Sequence, residues 1–472
     1  MSVKRRLIKD TILYGAGDVL TKAIAFVLIP LYTRTLIPEQ YGVFQLVVLY
    51  TTVLMVFSMT GTNMALFRYY VMETKEEKRK QYFTGALIWV IFSAAVLVEL
   101  TYILQNPLAE LFTGSSSQSQ LVCLAAINAG LETIILITLL VFRMNKKPVN
   151  YVICNLTKVI LIVLGNYALV WKMNLGVSGI LLAGIAADVL ILGPLLWSVG
   201  AYITWPVPGN IITTMLLWGF PVMASSMASL VLTLADRMLL RLMAGFSEAG
   251  IYSVGYKIAG AVMLMYTAFR FAWGPYMFEL SVDNKTAART YPKVLLVLIA
   301  GLGFATIGLV TFSPEIFQIF VGKDFLSSRP VLIPVTAAVV FEAMALIFGA
   351  GMETRDRTIY IPAITSVAAI VNILLNIILI PEYGFMGAGW ATLASYVMVA
   401  YLNYRIGNTF MPVKYPWPRL TAILGAIFIG MGAGWFLKPL FSRIVLQLAM
   451  TAVLLYLADA KSLKGIMKKN EG

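Results

Sequence analysis

Long apolar stretches alternate with short polar segments along almost the whole chain. A helix that crosses a bilayer needs about 20 mostly apolar residues. Stretches of that length have approximate bounds 11–32, 42–67, 82–104, 119–142, 150–171, 176–200, 211–234, 250–273, 291–312, 330–350, 358–380, 384–404, 418–437 and 440–458. The pattern predicts an all-α polytopic membrane protein with about 14 transmembrane helices.

The composition agrees with a protein embedded in lipid. Of the 472 residues, 60% are hydrophobic and 12% are charged, whereas a soluble protein carries about 25% charged residues. The net charge of +14 comes mainly from loops. Loops on the side of the N-terminus hold about three times as many Lys and Arg residues as those on the opposite side, and the positive-inside rule therefore predicts a cell (inner) membrane protein with both termini cytoplasmic. The charge is thus a topology signal, and no nucleic-acid partner is predicted.

The chain repeats itself at a spacing of 208 residues. Identical residues that match at this spacing include Gly42 and Gly250, Phe112 and Phe320, Gly114 and Gly322, Gly176 and Gly384, and Gly179 and Gly387. The repeated unit encloses six predicted spans. Because an even number of spans preserves direction through the membrane, the two copies are predicted to be parallel and related by an axis along the membrane normal.

This repeat predicts the domain organisation. An N-terminal lobe of helices 1–6 covers 1–200, and a C-terminal lobe of helices 7–12 covers 211–405. The segment 201–210, rich in Pro and Gly, is the predicted linker. Residues 406–472 hold helices 13 and 14 and a basic cytoplasmic tail. Two parallel six-helix lobes around a central cavity are typical of alternating-access transport.

Two stretches resemble the polysaccharide-biosynthesis exporters, the Wzx-type flippases of the MATE-like MOP superfamily. The first is Thr33-Arg34-Thr35-Leu36 followed by Tyr41-Gly42-Val43-Phe44. The second holds Asn372-Ile373-Leu374-Leu375-Asn376, Ile380-Pro381, Gly384 and Gly387-Ala388-Gly389-Trp390-Ala391-Thr392. Chain length, number of spans and the two-lobe organisation match along the whole chain.

The resemblance implies a secondary transporter rather than an enzyme, without a cofactor. The expected activity is the flipping of an undecaprenyl-pyrophosphate-linked oligosaccharide, such as an O-antigen or capsule repeat unit, from the cytoplasmic to the outer leaflet. An ion gradient of Na⁺ or H⁺, or the membrane potential, is expected to drive it. The expected partners are the lipid-linked oligosaccharide, membrane lipids and other glycan-assembly membrane proteins, with the chain itself a monomer.

Basic residues inside the spans are candidates for binding an anionic headgroup. An ionisable side chain at bilayer depth is costly and normally faces a cavity or a partner. Lys22 on helix 1, with Lys257 and Arg270 on helix 8, could bind a pyrophosphate from both lobes. Lys158 on helix 5 and Arg34 in the matched motif are further candidates. The alternatives are an i, i+4 pair of Lys22 with Asp18, snorkelling by Lys257 and Arg270, and an interfacial role for Arg34.

Acidic residues inside the spans are Asp18, Glu99, Glu132, Asp188 and Glu342. Buried carboxylates can carry a coupling proton or bind Na⁺, so the coupling candidates are Glu132, Glu342, Asp18 and Asp188. Hydrogen bonding within the helix bundle is the alternative role. The neighbours Asp236 and Arg237 are predicted to close helix 7 as a local interfacial pair. Trp89, Tyr256 and Trp273 could stack on sugar rings if they face the cleft.

Two other functional classes compete with the flippase hypothesis. A multidrug exporter of the same superfamily would have an acid-rich cavity, whereas the spans here hold a similar number of bases and acids. A membrane-embedded glycan polymerase would need an extramembrane catalytic site, yet the loops are short and lack Asp-x-Asp and Walker-type motifs. The sequence has no histidine, and its two cysteines, Cys123 and Cys154, lie in apolar stretches, so no metal site is predicted.

Overall fold

The structure, a computed structural model, describes residues 26–458. The first helix, α1, is described over 26–35. It is followed by α2 Pro38–Met59, α3 Thr62–Met72, α4 Glu76–Ile103, α5 Gln105–Thr113, α6 Ser119–Met144, α7 Pro148–Asn166, α8 Gly176–Val199, α9 Gly209–Ala244, α10 Phe246–Leu280, α11 Asn284–Thr311, α12 Ser313–Phe320, α13 Leu332–Phe348, α14 Ala350–Thr354, α15 Tyr360–Phe410, α16 Trp417–Phe436 and α17 Leu440–Ala458. The predicted all-α fold is confirmed, since residues 26–458 contain no β-strand.

Within the described residues, 11 helical stretches are long and apolar enough to cross a membrane. The predicted spans 358–380 and 384–404 lie in the single 51-residue helix α15, which is interrupted by non-helical backbone at Gly384, with φ 54° and ψ −137°. The predicted span 250–273 lies in α10, which is not among the 11. The span 11–32 lies largely outside the described residues. The exact count of 14 therefore stays a prediction.

The described residues form two compact units. The first comprises Met1–Arg241 and Gly245–Gly250, as far as these ranges are described, and the second comprises Leu242–Ala244 and the described part of Ile251–Gly472. In the first unit, hydroxyl and amide groups form hydrogen bonds between helices. Hydropathy alone does not predict these contacts. Tyr32 donates a 2.9 Å hydrogen bond to the Asn166 amide oxygen, and the hydroxyls of Tyr50 and Thr101 lie 2.6 Å apart. The predicted lobes and linker stay predictions.

In the second unit, the two C-terminal helices α16 and α17 pack on α11. A Cβ atom added at Gly303 would lie 2.6 Å from the Ile427 side chain, and small residues thus let α11 and α16 approach closely. Arg443 at the start of α17 holds this arrangement from one end. Its guanidinium donates hydrogen bonds of 2.6 and 2.8 Å to the Glu315 carboxylate, and of 2.8 Å to the Leu437 carbonyl at the end of α16.

Two glycines let α2 and the start of α10 cross at close distance within the first unit, and we call this contact the glycine crossing. A Cβ atom added at Gly42 would collide with the Phe246 carbonyl oxygen, and one added at Gly250 would collide with the Pro38 carbonyl oxygen. Pro38 and Phe246 are separated by 208 residues, as are the two glycines. The sequence repeat is therefore matched by a symmetric backbone contact.

A second pair of repeat-related glycines shares an unusual backbone conformation. Gly176 has φ 55° at the start of α8, and Gly384 has φ 54° inside α15. A positive φ at these values favours glycine because a side chain would meet the backbone. Matching positions in the two copies of the repeat therefore share a positive φ, at the start of α8 and at the break inside α15.

One prediction of the sequence is wrong in its placement. Asp236 and Arg237 do form a local ion pair, with Arg237 Nη1 2.7 Å from Asp236 Oδ1. They do not close the helix, because α9 continues to Ala244. Their side chains are 2% and 5% exposed, so the pair is buried rather than interfacial. The apolar residues after this pair extend the helix beyond the end that hydropathy predicted.

The glycine crossing can be tested by substituting alanine for Gly250. We expect Gly250→Ala to destabilise the protein by about 1–3 kcal/mol, because the added methyl group overpacks a backbone contact. Gly425→Ala on α16 is the control, since no heavy atom lies within 4 Å of a Cβ atom there, and we expect it to be neutral or stabilising by up to about 1 kcal/mol. Thermal unfolding of the purified proteins in detergent gives the comparison. Equal stability of the two variants would contradict the close crossing.

Candidate functional site

Three charged side chains meet inside the first unit, each from near the middle of a different helix. Glu132 lies on α6, Lys158 on α7 and Asp188 on α8. The Lys158 ammonium lies 2.8 Å from Asp188 Oδ1 and also forms an ion pair with the Glu132 carboxylate. We call these three residues the charge triad. It joins three consecutive long helices at the depth where a charge is most costly.

Burial differs sharply within the charge triad. The Asp188 side chain is 1% exposed, that of Lys158 is 11% exposed, and that of Glu132 is 27% exposed. Asp188 is thus buried inside the helix bundle. Lys158 contacts both Asp188 and the Glu132 carboxylate, and Glu132 lies at the edge of the bundle. Close packing of α7 against α8 makes this possible, since a Cβ atom added at Gly165 would lie 3.0 Å from the Ala183 Cβ.

The charge triad combines residues that the sequence placed in different roles. Lys158 was predicted to bind a headgroup, whereas Glu132 and Asp188 were predicted to couple an ion. Helix packing brings them together although Lys158 is 26 residues from Glu132 in the chain. One sequence signal could have revealed the group: predicted helices 4, 5 and 6 each carry an ionisable residue near the middle.

A second charged group lies in the second unit around Arg270 of α10. Arg270 hydrogen-bonds with the side chain of Tyr266, and the carboxylates of Glu342 and Glu353 act on the same tyrosine. Arg270 also acts electrostatically on Glu353. Arg270 and Glu342 were predicted site residues, whereas Glu353 was missed because it follows the apolar span 330–350.

Two of the other predicted site residues are described. Lys257 is half-buried on α10 and Arg34 is exposed at the end of α1. Asp18 and Lys22 lie outside the described residues. Glu99, which was not assigned a role, is exposed near the end of α4. The roles assigned to the site residues from sequence stay predictions.

Of the aromatic candidates for stacking on sugars, Trp273 is a core residue. It is 3% exposed, and its ring centroid lies 5.2 Å from that of Tyr291 and 5.9 Å from that of Phe269. A sugar therefore has no open ring face to stack on at this position. Trp89 and Tyr256 are half-buried.

Comparison with known proteins identifies a family and a fold. A family model described as "Polysaccharide biosynthesis protein" matches residues 7–281. Among curated proteins, the chain is similar to the "Probable low-salt glycan biosynthesis flippase Agl15" of Haloferax volcanii, with 24% identity over 181 residues. This alignment covers 37% of each chain, and the chain spans less than half the length of the first curated relatives that it matches.

Solved structures resemble the protein over most of its length. One described as "Lipid II flippase MurJ, inward closed conformation" has a TM-score of 0.75 and 16% identity, and the match covers 97% of this chain and 100% of that chain. A second, an inward-facing multidrug resistance MATE family transporter of the MOP superfamily, has a TM-score of 0.66 and 14% identity, with 87% and 94% covered. These likenesses confirm the predicted fold. The names of these proteins are those of flippases and transporters, in agreement with the prediction that the chain is not an enzyme.

Removal of the Lys158 charge tests the charge triad. We expect Lys158→Met to destabilise the protein by about 3–5 kcal/mol at neutral pH, because two carboxylates are left in the bundle without their cation. The loss should shrink as the pH falls, since protonation of those carboxylates in the folded protein removes the uncompensated charge. Thermal unfolding of the purified variant in detergent across a pH series gives the measurement.

The matched control combines Lys158→Met with Glu132→Gln and Asp188→Asn, which removes all three charges while keeping similar side-chain volumes. We expect this triple variant to recover most of the lost stability and to lose the pH dependence. A triple variant as unstable as Lys158→Met alone would mean that Lys158 stabilises the bundle through packing rather than through its charge.

Proposed function

We propose that this chain, which belongs to the polysaccharide biosynthesis protein family, is a flippase that moves a lipid-linked glycan across the membrane. The observation that carries the proposal is the family match over residues 7–281, more than half of the 472 residues. The chain also has apolar helices long enough to cross a bilayer many times. Such helices suit a substrate that is itself anchored in lipid.

The relatives support this substrate class. The name of Agl15 describes a probable flippase of glycan biosynthesis, and the name of MurJ describes a flippase of lipid II. The fold of the lipid II flippase extends over 97% of this chain. Because the Agl15 alignment covers only 37% of this chain, the substrate is assigned here on the family match together with the fold.

We further propose that the glycan is carried on undecaprenyl pyrophosphate and passes from the cytoplasmic to the outer leaflet by alternating access. The chain would lie in the cell (inner) membrane with both termini cytoplasmic, as the loop cations favour. A pyrophosphate cannot enter hydrocarbon without countercharge, and guanidinium and ammonium groups supply it. Arg270 and Lys257 on α10 and Arg34 on α1 are the described candidates. Lys22 is a further candidate from the sequence.

Reconstitution into liposomes tests the proposal. We expect the purified protein to transfer a fluorescent undecaprenyl-pyrophosphate-linked oligosaccharide between leaflets, measured as the labelled glycan that becomes accessible to a membrane-impermeant quencher. The same liposomes loaded with a fluorescent organic cation test the multidrug-exporter alternative, whose fold this chain shares. Export of the cation without transfer of the glycan would overturn the flippase proposal in favour of that alternative.

Arg270 offers a sharper test of headgroup binding. We expect Arg270→Gln to slow glycan transfer about tenfold or more, because a charge-assisted hydrogen bond to a pyrophosphate contributes about 1.5–3 kcal/mol. Arg405→Gln is the matched control, since Arg405 is an exposed arginine of α15 that lies over the Tyr401 ring. Equal transfer rates for the two variants would exclude Arg270 from the headgroup site.

A further inference from the structure

The charge triad carries an excess negative charge. Lys158 contributes one positive charge, whereas Glu132 and Asp188 contribute two negative charges when both are ionised. Lys158 contacts both carboxylates, so the three side chains form a single electrostatic group. A group with unbalanced charge near the middle of three membrane helices is costly, and binding of one further cation would remove the imbalance.

We propose that the charge triad binds one exchangeable proton, which enters and leaves through Glu132. This inference rests on the proposed function in one respect: in a flippase, the exchanged proton would be the coupling ion. In the deprotonated state, Lys158 neutralises one carboxylate and the triad is negative. In the protonated state, one carboxylate is a neutral acid, and the remaining ion pair is balanced.

Burial assigns the entry point to Glu132. Its side chain is 27% exposed, whereas the Asp188 side chain is 1% exposed. A proton from water therefore meets Glu132 first. Asp188 Oδ1 makes no hydrogen bond beyond its contact with the Lys158 ammonium, so this carboxylate depends on Lys158 for its neutralisation. Because Lys158 contacts both acids, the bound proton can be shared between the two carboxylates.

A proton fits the charge triad better than Na⁺ does. The Lys158 ammonium already occupies the space between the two carboxylates and offers three hydrogen-bond donors to them. A sodium ion bound to the same oxygens would lie close to this ammonium, and like charges at short distance repel strongly in a low-dielectric interior. A proton adds no volume and no second cation centre. The step forms one O–H bond on a carboxylate oxygen and breaks one on the donating hydronium ion, which leaves as water, and no electrons are transferred.

The fold itself does not need the charge triad. At a spacing of 208 residues, the positions that match Glu132, Lys158 and Asp188 are Val340, Ser366 and Tyr396. Those positions lie on the corresponding helices α13 and α15 of the second copy. The second copy therefore forms its helices without a charge at any of these three positions, and its nearest acid in sequence, Glu342, lies two residues further along α13. A residue set that costs energy and is not required by the shared fold is a candidate for a functional role.

Within residues 26–458, the charged groups that act on Lys158 and Asp188 belong to the triad itself. The charged groups that act on Lys158 are Glu132 and Asp188, and those that act on Asp188 are Lys158 and Glu132. The thiol of Cys154 lies one turn before Lys158 on α7. The helices α2, α3, α4 and α5 also pack against α6. Their titratable side chains are Glu39, Tyr41, Tyr50, Arg68, Tyr69, Tyr70, Glu76, Glu77, Lys78, Arg79, Lys80, Tyr82, Glu99, Tyr102 and Glu110.

Infrared difference spectroscopy of the purified protein in nanodiscs, without glycan, tests the proposal. We expect a pH titration of the wild type to reveal a protonated-carboxyl band that Glu132→Gln abolishes, because the remaining Lys158–Asp188 pair is balanced. Glu99→Gln is the matched control and should keep the band, since Glu99 is exposed on α4 outside the triad. A band that persists in Glu132→Gln would overturn the proposal.

Asp188→Asn gives an independent test if Glu132→Gln does not fold. It leaves a balanced pair of Glu132 and Lys158, so the same band should disappear. Replacement of Na⁺ by choline at constant pH decides the identity of the ion. A band unchanged by this replacement supports the proton, whereas a band that shifts with Na⁺ overturns the assignment.

Glycan transfer in liposomes with an imposed pH gradient separates this inference from the proposed function. We expect the gradient to accelerate wild-type transfer and to have no effect on Glu132→Gln. Transfer in the absence of a titrating carboxylate would overturn the proton site and leave the flippase proposal standing. A titrating triad in a protein that transfers no glycan would overturn the flippase proposal and leave the proton site standing.

Discussion

Hydrocarbon offers no hydrogen-bond partner, so each polar group at bilayer depth has to find one within the protein. The backbone meets this constraint by forming helices, and the side chains follow it locally. On α9, the hydroxyls of Ser225 and Ser226 each donate a 3.0 Å hydrogen bond to the carbonyl four residues earlier. Between helices, the pair of Tyr50 and Thr101 does the same. The helix contacts of the first unit depend on such hydrogen bonds between polar side chains.

Charged side chains at bilayer depth also need partners within the protein. The Arg443–Glu315 pair and the charge triad differ in how their charges are paired and where they lie. Arg443 pairs with Glu315 at 2.6 Å and also donates to the carbonyls of Leu437 and Lys438 beyond the end of α16. That pair lies at helix ends and has a structural role. The charge triad lies near the middle of its helices and carries an excess of negative charge. Excess negative charge at this depth distinguishes the proposed cation-exchange site from a pair at helix ends that joins helices.

Hydropathy predicted most of the helices because lipid exposure depends on composition along the chain. It predicted a boundary between the spans 358–380 and 384–404, where the structure has the break at Gly384 inside α15. It could not predict the continuation of α9 beyond Asp236, since that depends on local backbone geometry. The candidate site was predicted as separate residues. Periodicity places Lys158 along a helix but does not say which helices lie beside it, so its contacts with Glu132 and Asp188 required the packed structure. Glu353 was missed because it follows the apolar span 330–350 and so was not counted among the residues inside the spans.

The two copies of the repeat share backbone geometry and differ in their charged residues. Gly176 and Gly384 have almost the same φ, and Gly42 and Gly250 make reciprocal contacts. Yet the proposed proton site lies in the first copy, whereas the proposed headgroup cations on α10, Lys257 and Arg270, lie in the second. The repeat therefore accounts for the helices that both copies share, whereas each proposed chemistry depends on residues that one copy carries and the other lacks at the matching positions.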